Sequence, residues 1–160
     1  MKEKINLKDI VEEHRVSPKE KYELFRKHVS LSLGGKRDLG TWGGGHPFDL
    51  EHVRLPPGKT NFPLHQHQVQ WELFLVMEGT GVARRDAEEF EIRQGDCFVQ
   101  SPGTAHQITN TNPSEDLIYL VVADNPQAEV VYYPDSEKWM FRPPRKFAEV
   151  TEVDYYKGEE

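Results

Sequence analysis

"PLHQHQVQWELFLVMEG", Pro63 to Gly79, sets His65 and His67 one residue apart, follows them with Glu72, and runs on into an apolar segment. Residues i and i+2 of a strand project from one face, so His65 and His67 can aim two imidazoles at a single point. The step from His67 to Glu72 is odd and would place them on opposite faces of one continuous strand. "QVQ" is therefore expected to turn or bulge and deliver Glu72 from the neighbouring strand, about 4.8 Å away. In "WELFLVM" one face carries Trp71, Leu73, Leu75 and Met77 while the other carries Glu72, Phe74 and Val76, so both faces are expected to be buried.

Working outward, short apolar runs recur between turn residues: "FDLEHVRL", "GVARR", "FEIR", "CFVQ", "HQIT", "LIYLVVA" and "EVVYY" are separated by "PPGK", "EGTG", "RDAE", "RQGD", "SPGTA", "NTNPSED" and "DNPQ". That cadence predicts an all-β sandwich or barrel. Ahead of it, "SPKEKYELFRKHV" offers Ser17 as N-cap, Pro18 in the first turn and Tyr22, Leu24, Phe25 and Val29 at helical spacing, which predicts a helix over Pro18–Val29. The glycine-dense "LGGKRDLGTWGGGHP" from Leu33 to Pro47 reads as an irregular arm. The resulting organisation is 1–47 for helix and arm, 48–135 for the barrel, and 136–160 for an extension packed on it.

A second histidine follows a similar turn grammar: Gly95, seven residues, Gly103, two residues, His106, three residues, Asn110. The first run is likewise punctuated by Gly58, with six residues between it and His65, and by Gly79, with six residues between it and Glu72. Together these resemble the two motifs of the cupin superfamily, with the match covering about Gly58 to Asn110. Two departures are visible: one extra residue lies between Gly58 and His65, and Ser101 replaces the first proline of the second motif. Neither touches a ligand position.

The resemblance implies a double-stranded β-helix, or jelly-roll barrel, holding one divalent ion through His65, His67, Glu72 and His106, in the manner of small single-domain bacterial members. Three neutral imidazoles and a carboxylate suit iron, manganese, nickel, cobalt or zinc, and the identity stays open. Glu72 can also serve as a base by that likeness. Strand parity adds Phe74, Val76 and Ile108 as apolar candidates for the pocket, with Gln100 and Tyr119 as polar tips. Dioxygenase and isomerase chemistry on a small oxygenated substrate both fit, as does a non-catalytic ligand binder or sensor, since one fold hosts many chemistries.

Composition narrows the partners. The 160 residues carry 27 acidic and 20 basic side chains, a net charge of -7, and no Lys/Arg-rich block that could track a phosphate backbone. Neither nucleic acid nor membrane is expected, because the longest apolar run, Leu117–Ala123, is too short to span a bilayer and "MKEKINLKDIVEEH" lacks a signal-peptide core. A cytoplasmic protein is the expectation. Cys97 is the single cysteine and reads as a small buried hydrophobe. A second subunit or the amino-terminal helix would cover the Trp71/Leu73/Leu75/Met77 face, and a homodimer is predicted. His14 and His28 are expected to be exposed. The Phe48, Leu50, His52 and Arg54 set could line a pocket mouth, but the favoured reading turns Val53 and Leu55 to the core instead. Asn110 is expected to steady a turn, and "YYPDSEKW" to pack outside the barrel.

Overall fold

The structure is a computed structural model and describes residues 3–160. Thirteen strands form its framework: β1 (Glu13–Val16), β2 (Glu23–His28), β3 (Phe48–Leu55), β4 (His65–His67), β5 (Glu72–Glu78), β6 (Thr80–Arg85), β7 (Glu88–Arg93), β8 (Cys97–Gln100), β9 (Ala105–Thr109), β10 (Leu117–Asp124), β11 (Glu129–Tyr133), β12 (Lys138–Arg142) and β13 (Lys146–Glu149). They form a six-stranded sheet, β1-β2-β3-β10-β5-β8, facing a seven-stranded one, β13-β12-β11-β4-β9-β6-β7. The fold is a double-stranded β-helix with almost no helix.

Register decides what each sheet turns inward. Across the six-stranded sheet, Val53 faces Tyr119 and Tyr119 faces Val76; one step along, Glu51, Val121 and Phe74 align; one further, Asp49, Ala123, Glu72 and Gln100 align. Directly opposed residues share a face. The inner face thus grades from an apolar floor to a carboxylate-bearing rim. The floor merges with Leu24, Leu55, Ala83, Ile92, Ile108 and Leu117 into one core, and Phe74 stacks on Phe98 at 5.1 Å. Burying each of the larger side chains contributes about 1.5–3 kcal/mol.

The helix expected over Pro18–Val29 is absent. Ser17 does cap, but it caps a turn: its hydroxyl accepts the Tyr22 N–H at 3.0 Å, its carbonyl accepts the Glu20 N–H at 2.8 Å, and Glu20 sits at φ 55°. The chain then enters β2, where alternation buries Leu24 and Arg26 and leaves Phe25 and Lys27 partly exposed. Pairing with β3 overrides the helical spacing. Only α1 (Val29–Ser32) is helical there. The arm that follows is irregular as expected, with a 3-10 turn at Thr41–Gly43, yet it is anchored through Asp38 to Arg142 and Arg145.

Further expectations are corrected. The Trp71, Leu73 and Met77 side chains are exposed, because they belong to the outer face of the six-stranded sheet and the amino-terminal segment extends that sheet at its far edge instead of lying over it. Cys97 is exposed for the same reason, since it pairs with Leu75 on that outer face. His28 is partly buried between Glu13 and Glu51, with ring nitrogens 2.7 and 2.8 Å from their carboxylates. His14, in contrast, is exposed and stacks on Phe25 at 4.2 Å. Val53 and Leu55 face the core, while Arg54 pairs outside with Glu12 and Asp116. Asn110 is fully buried and ties its turn, donating to the Leu55 and Glu115 carbonyls and accepting from the Asn112 N–H. "YYPDSEKW" closes the β11–β12 hairpin with Tyr132 packed on Trp139 at 4.6 Å.

Candidate metal centre

β4 lies between β9 and β11, and its register sets His65 directly opposite His106. Their rings are 4.4 Å apart, and His67 stands 5.2 Å from His65. Glu72 arrives from β5, which belongs to the facing sheet and not to the strand beside β4 as the spacing suggested. The four residues thus meet between the two sheets. One ligand atom from each lies within 4.8 Å of the others. Bonds of about 2.0–2.2 Å hold adjacent donors roughly 3 Å apart and opposed donors roughly 4 Å apart, so the cluster has the dimensions of a coordination sphere.

The imidazoles are also oriented for it. His65 Nδ1 faces the Pro63 carbonyl at 2.9 Å and His106 Nδ1 the Thr104 carbonyl at 3.4 Å. Each carbonyl fixes a proton on Nδ1 and leaves the Nε2 lone pair free, the usual arrangement of a metal-binding histidine. His106 Nε2 comes 2.8 Å from a Glu72 oxygen yet is not aligned to hydrogen-bond with it. Two buried donors in close approach without a hydrogen bond between them fit a common third partner.

Electrostatics agree with a neutral His65 and an ionised Glu72. Burial, reinforced by the His106 and His67 rings, pushes His65 down to about 3. Burial alone would raise Glu72, but the His106 contact and the surrounding imidazoles hold it well below the ordinary carboxylate range. Ligands in these protonation states bind a cation without first losing a proton.

Two turns deliver the ligands. Gly103, at φ 82°, sits where an L side chain is strained, and its N–H donates to the His67 carbonyl at 2.8 Å, tying the His106 loop to β4. Gly79, at φ 81°, ends β5; a Cβ there would collide with the Asp116 carbonyl. The "QVQ" bend is held by a residue the sequence reading missed. Glu129, with its side chain fully buried, accepts the backbone N–H groups of Gln68 (2.9 Å), Val69 (3.2 Å) and Gln70 (2.6 Å). The only signal for it was a carboxylate heading the apolar run "EVVYY".

The cluster opens into a cavity of about 380 Å³. Phe74 and Tyr119 line it, whereas Val76 and Ile108 lie in the core outside its lining. Gln100 is also outside the lining; it pairs in register with Glu72, and its carbonyl oxygen accepts from Arg85 Nε at 3.0 Å. Tyr119 accepts a hydrogen bond from Asn61 at 3.3 Å, and burial raises its phenol. The rim adds Arg15, Lys138, Arg142 and Arg145, none of them anticipated.

Three imidazoles and one carboxylate thus converge between the two sheets of a jelly-roll barrel, an arrangement that could hold a metal ion. The family model for the cupin domain matches residues 51–123, a little under half of the chain and the part that carries all four residues of the cluster. Among curated relatives, an oxalate-binding protein of Thermotoga maritima is 37% identical over 71 residues, 44% of this chain and 56% of that protein. The chain spans about half the length of the curated relatives it matches. Among solved structures, a sugar phosphate isomerase of the cupin superfamily from Silicibacter pomeroyi superposes with a TM-score of 0.73 at 24% identity, covering 95% of this chain and 97% of that one. The polyketide cyclase RemF from Streptomyces resistomycificus gives 0.59 at 17% identity, covering 100% and 94%. At such identities the structural likeness speaks to the fold. Among the described residues, no helix is long and apolar enough to cross a membrane.

Proposed function

We propose that the chain is a cupin metalloenzyme in which His65, His67, Glu72 and His106 hold one divalent ion and a small oxygenated organic substrate occupies the adjoining cavity. The observation that carries this reading is the convergence of four donors, two of them preoriented by backbone carbonyls, on the wall of a cavity large enough for a metabolite. A divalent ion with unfilled positions supplies Lewis acidity toward a substrate oxygen. Phe62, Phe74 and Val121 furnish apolar walls that exclude water. Tyr119 stays protonated and, with Asn61 already donating to its oxygen, keeps its own O–H to donate to a bound oxygen. Glu72, ionised and half of whose oxygens are available beyond a single coordination bond, is the candidate for moving a proton.

Of the dioxygenase and isomerase readings we favour isomerase-type proton transfer, which the name of the Silicibacter pomeroyi neighbour suggests and for which an ionised Glu72 beside the cavity supplies a base. Non-catalytic binding is the second reading, favoured by the name of the Thermotoga maritima relative. The test is elemental analysis of protein purified without chelator or added metal, beside a His65→Ala/His67→Ala variant. Near-stoichiometric metal lost in the variant is the expected result; metal retained in the variant would overturn the four-ligand assignment. With metal established, exchange of solvent deuterium into aldose or ketose phosphates separates catalysis from binding.

A further inference from the structure

The rim of the cavity carries more positive charge than its carboxylates neutralise. Arg26 is spoken for by Glu13 and Glu51. Arg142 and Arg145 share one carboxylate, Asp38, at 2.7 Å each. Lys138 and Arg15 have no carboxylate within ion-pair distance among the described residues and instead lie over the Tyr133 and Phe62 rings. Asp49 also lines the space, and even with it the five lining cations, Arg15, Arg26, Lys138, Arg142 and Arg145, outnumber the four lining carboxylates, Asp38, Asp49, Glu51 and Glu72. In a chain of net charge -7, such a rim is a local inversion of the overall field.

Arg142 is the decisive member. It is only 8% exposed, and while its Nη1 binds Asp38, its Nε and Nη2 are buried without any hydrogen-bond partner. Unmade hydrogen bonds on a buried cation are costly, and groups left so at a cavity wall are positioned to take oxygens from an occupant of that cavity. Nε and Nη2 form the edge of the guanidinium that grips two oxygens of a phosphate or carboxylate at once. On β12, Arg142 is two residues from Met140, which pairs with Val131, which pairs with His67. Two strand spacings, about 10 Å between backbones, therefore separate the arginine's strand from the metal strand, and a chain of a few carbons spans the gap between the side chains.

We propose that Arg142, assisted by Arg145, Lys138 and Arg15, forms an anion subsite that takes the phosphate or carboxylate end of a small substrate whose other end reaches the His/Glu cluster. This deepens the reading of the cavity as a substrate site and rests on it. The substrate class becomes an anionic oxygenated metabolite, phosphorylated or acidic, bound in a fixed direction.

The test is calorimetric titration of the full chain with inorganic phosphate and, separately, acetate, on wild type, on chelator-treated protein, and on Arg142→Gln. The expected result is anion binding that survives chelation and weakens about 10- to 100-fold in Arg142→Gln, the worth of charge-assisted hydrogen bonds. Tighter phosphate binding marks a phosphoester substrate, and tighter acetate binding a carboxylate. Binding that disappears with the metal and is unchanged in Arg142→Gln overturns the subsite, as does an absence of binding by either anion. His67→Ala separates this proposal from the metal reading, since it abolishes metal uptake and leaves anion binding in place. If circular dichroism shows Arg142→Gln unfolded, Lys138→Met and Arg15→Met decide: a weakening of about threefold or more in either supports the subsite, and wild-type affinity in both overturns it.

Discussion

A Glu129 carboxylate oxygen lies 3.6 Å from His67 Nδ1, while the same side chain gathers the backbone N–H groups of the bend that follows His67. One buried anion thus stands beside a candidate ligand and holds the loop that carries the chain to Glu72. Burial would raise its carboxyl, but His67 and the backbone donors keep it below the ordinary range. Replacing the charge with Glu129→Gln puts an amide NH2 against backbone donors. Metal affinity, read by chelator competition, is expected to fall about 10- to 100-fold, with stability lowered by about 2–4 kcal/mol in urea melts as the loop loses its acceptor. Wild-type metal affinity in a folded variant would show that the loop finds its own conformation.

His67→Ala is expected to remove metal before it removes the fold. The imidazole is mostly buried but lies in the cavity wall and outside the main apolar cluster, so its loss opens space beside an existing cavity and leaves the Val53/Tyr119/Val76 floor intact. Elemental analysis should show metal lost, with circular dichroism unchanged. Wild-type protein stripped by chelator should likewise lose thermal stability in proportion to how tightly it bound the ion. An identical melting temperature with and without metal would mean that the native state gains nothing from the site.

At the β1 edge of the six-stranded sheet, Glu13 joins Arg26 and His28. Burial opposes its ionisation, yet Arg26 and His28 prevail and bring its carboxyl down to about 2 from an ordinary 4.5. Because the folded value lies below the unfolded one, this contribution is fully present above pH 4.5 and is lost as pH falls toward 2. Glu13→Gln should therefore be less stable than wild type at pH 7, with the gap closing between pH 4.5 and 2. Denaturant melts at pH 7, 4 and 3 measure it, and a gap of constant size at all three would contradict the pairing.

Much of the site was legible because metal ligation forces residue types and spacing together. His65 and His67 show same-face parity, and Gly103 and His106 show a turn that returns the chain to the same place. The residues that went unread act across long sequence separations. Glu129 reaches Gln70 over 59 positions and Arg142 reaches Asp38 over 104, and no local period announces either. The helix expected over Pro18–Val29 failed for a related reason. Tyr22, Phe25 and Val29 fall at helical steps while Tyr22 and Leu24 fall at a strand step, and in so short a run the choice fell to an open strand edge on β3, visible only in the assembled sheet. Strand parity did separate the faces of "WELFLVM", but it could not say that the Trp71 face would lie outside.

That outer face carries the last prediction. Leu50, Val122, Leu73 and Val99 align across four strands, and Leu120, Leu75 and Cys97 align beside them. Trp71, Leu73, Met77 and Val99 are each 40–52% exposed, and β8, at the sheet edge, leaves one side of its backbone unpaired. A contiguous apolar surface of this kind marks an association site, and a second copy of the chain, packing sheet against sheet, is the expected cover. Light scattering should give twice the 18.6 kDa chain mass. Leu73→Lys, which sets a charge at the centre of the patch and leaves the inner face untouched, should give the monomer with metal binding retained. A monomeric wild type would assign the face to some other partner, and a dimer unmoved by Leu73→Lys would place the interface elsewhere.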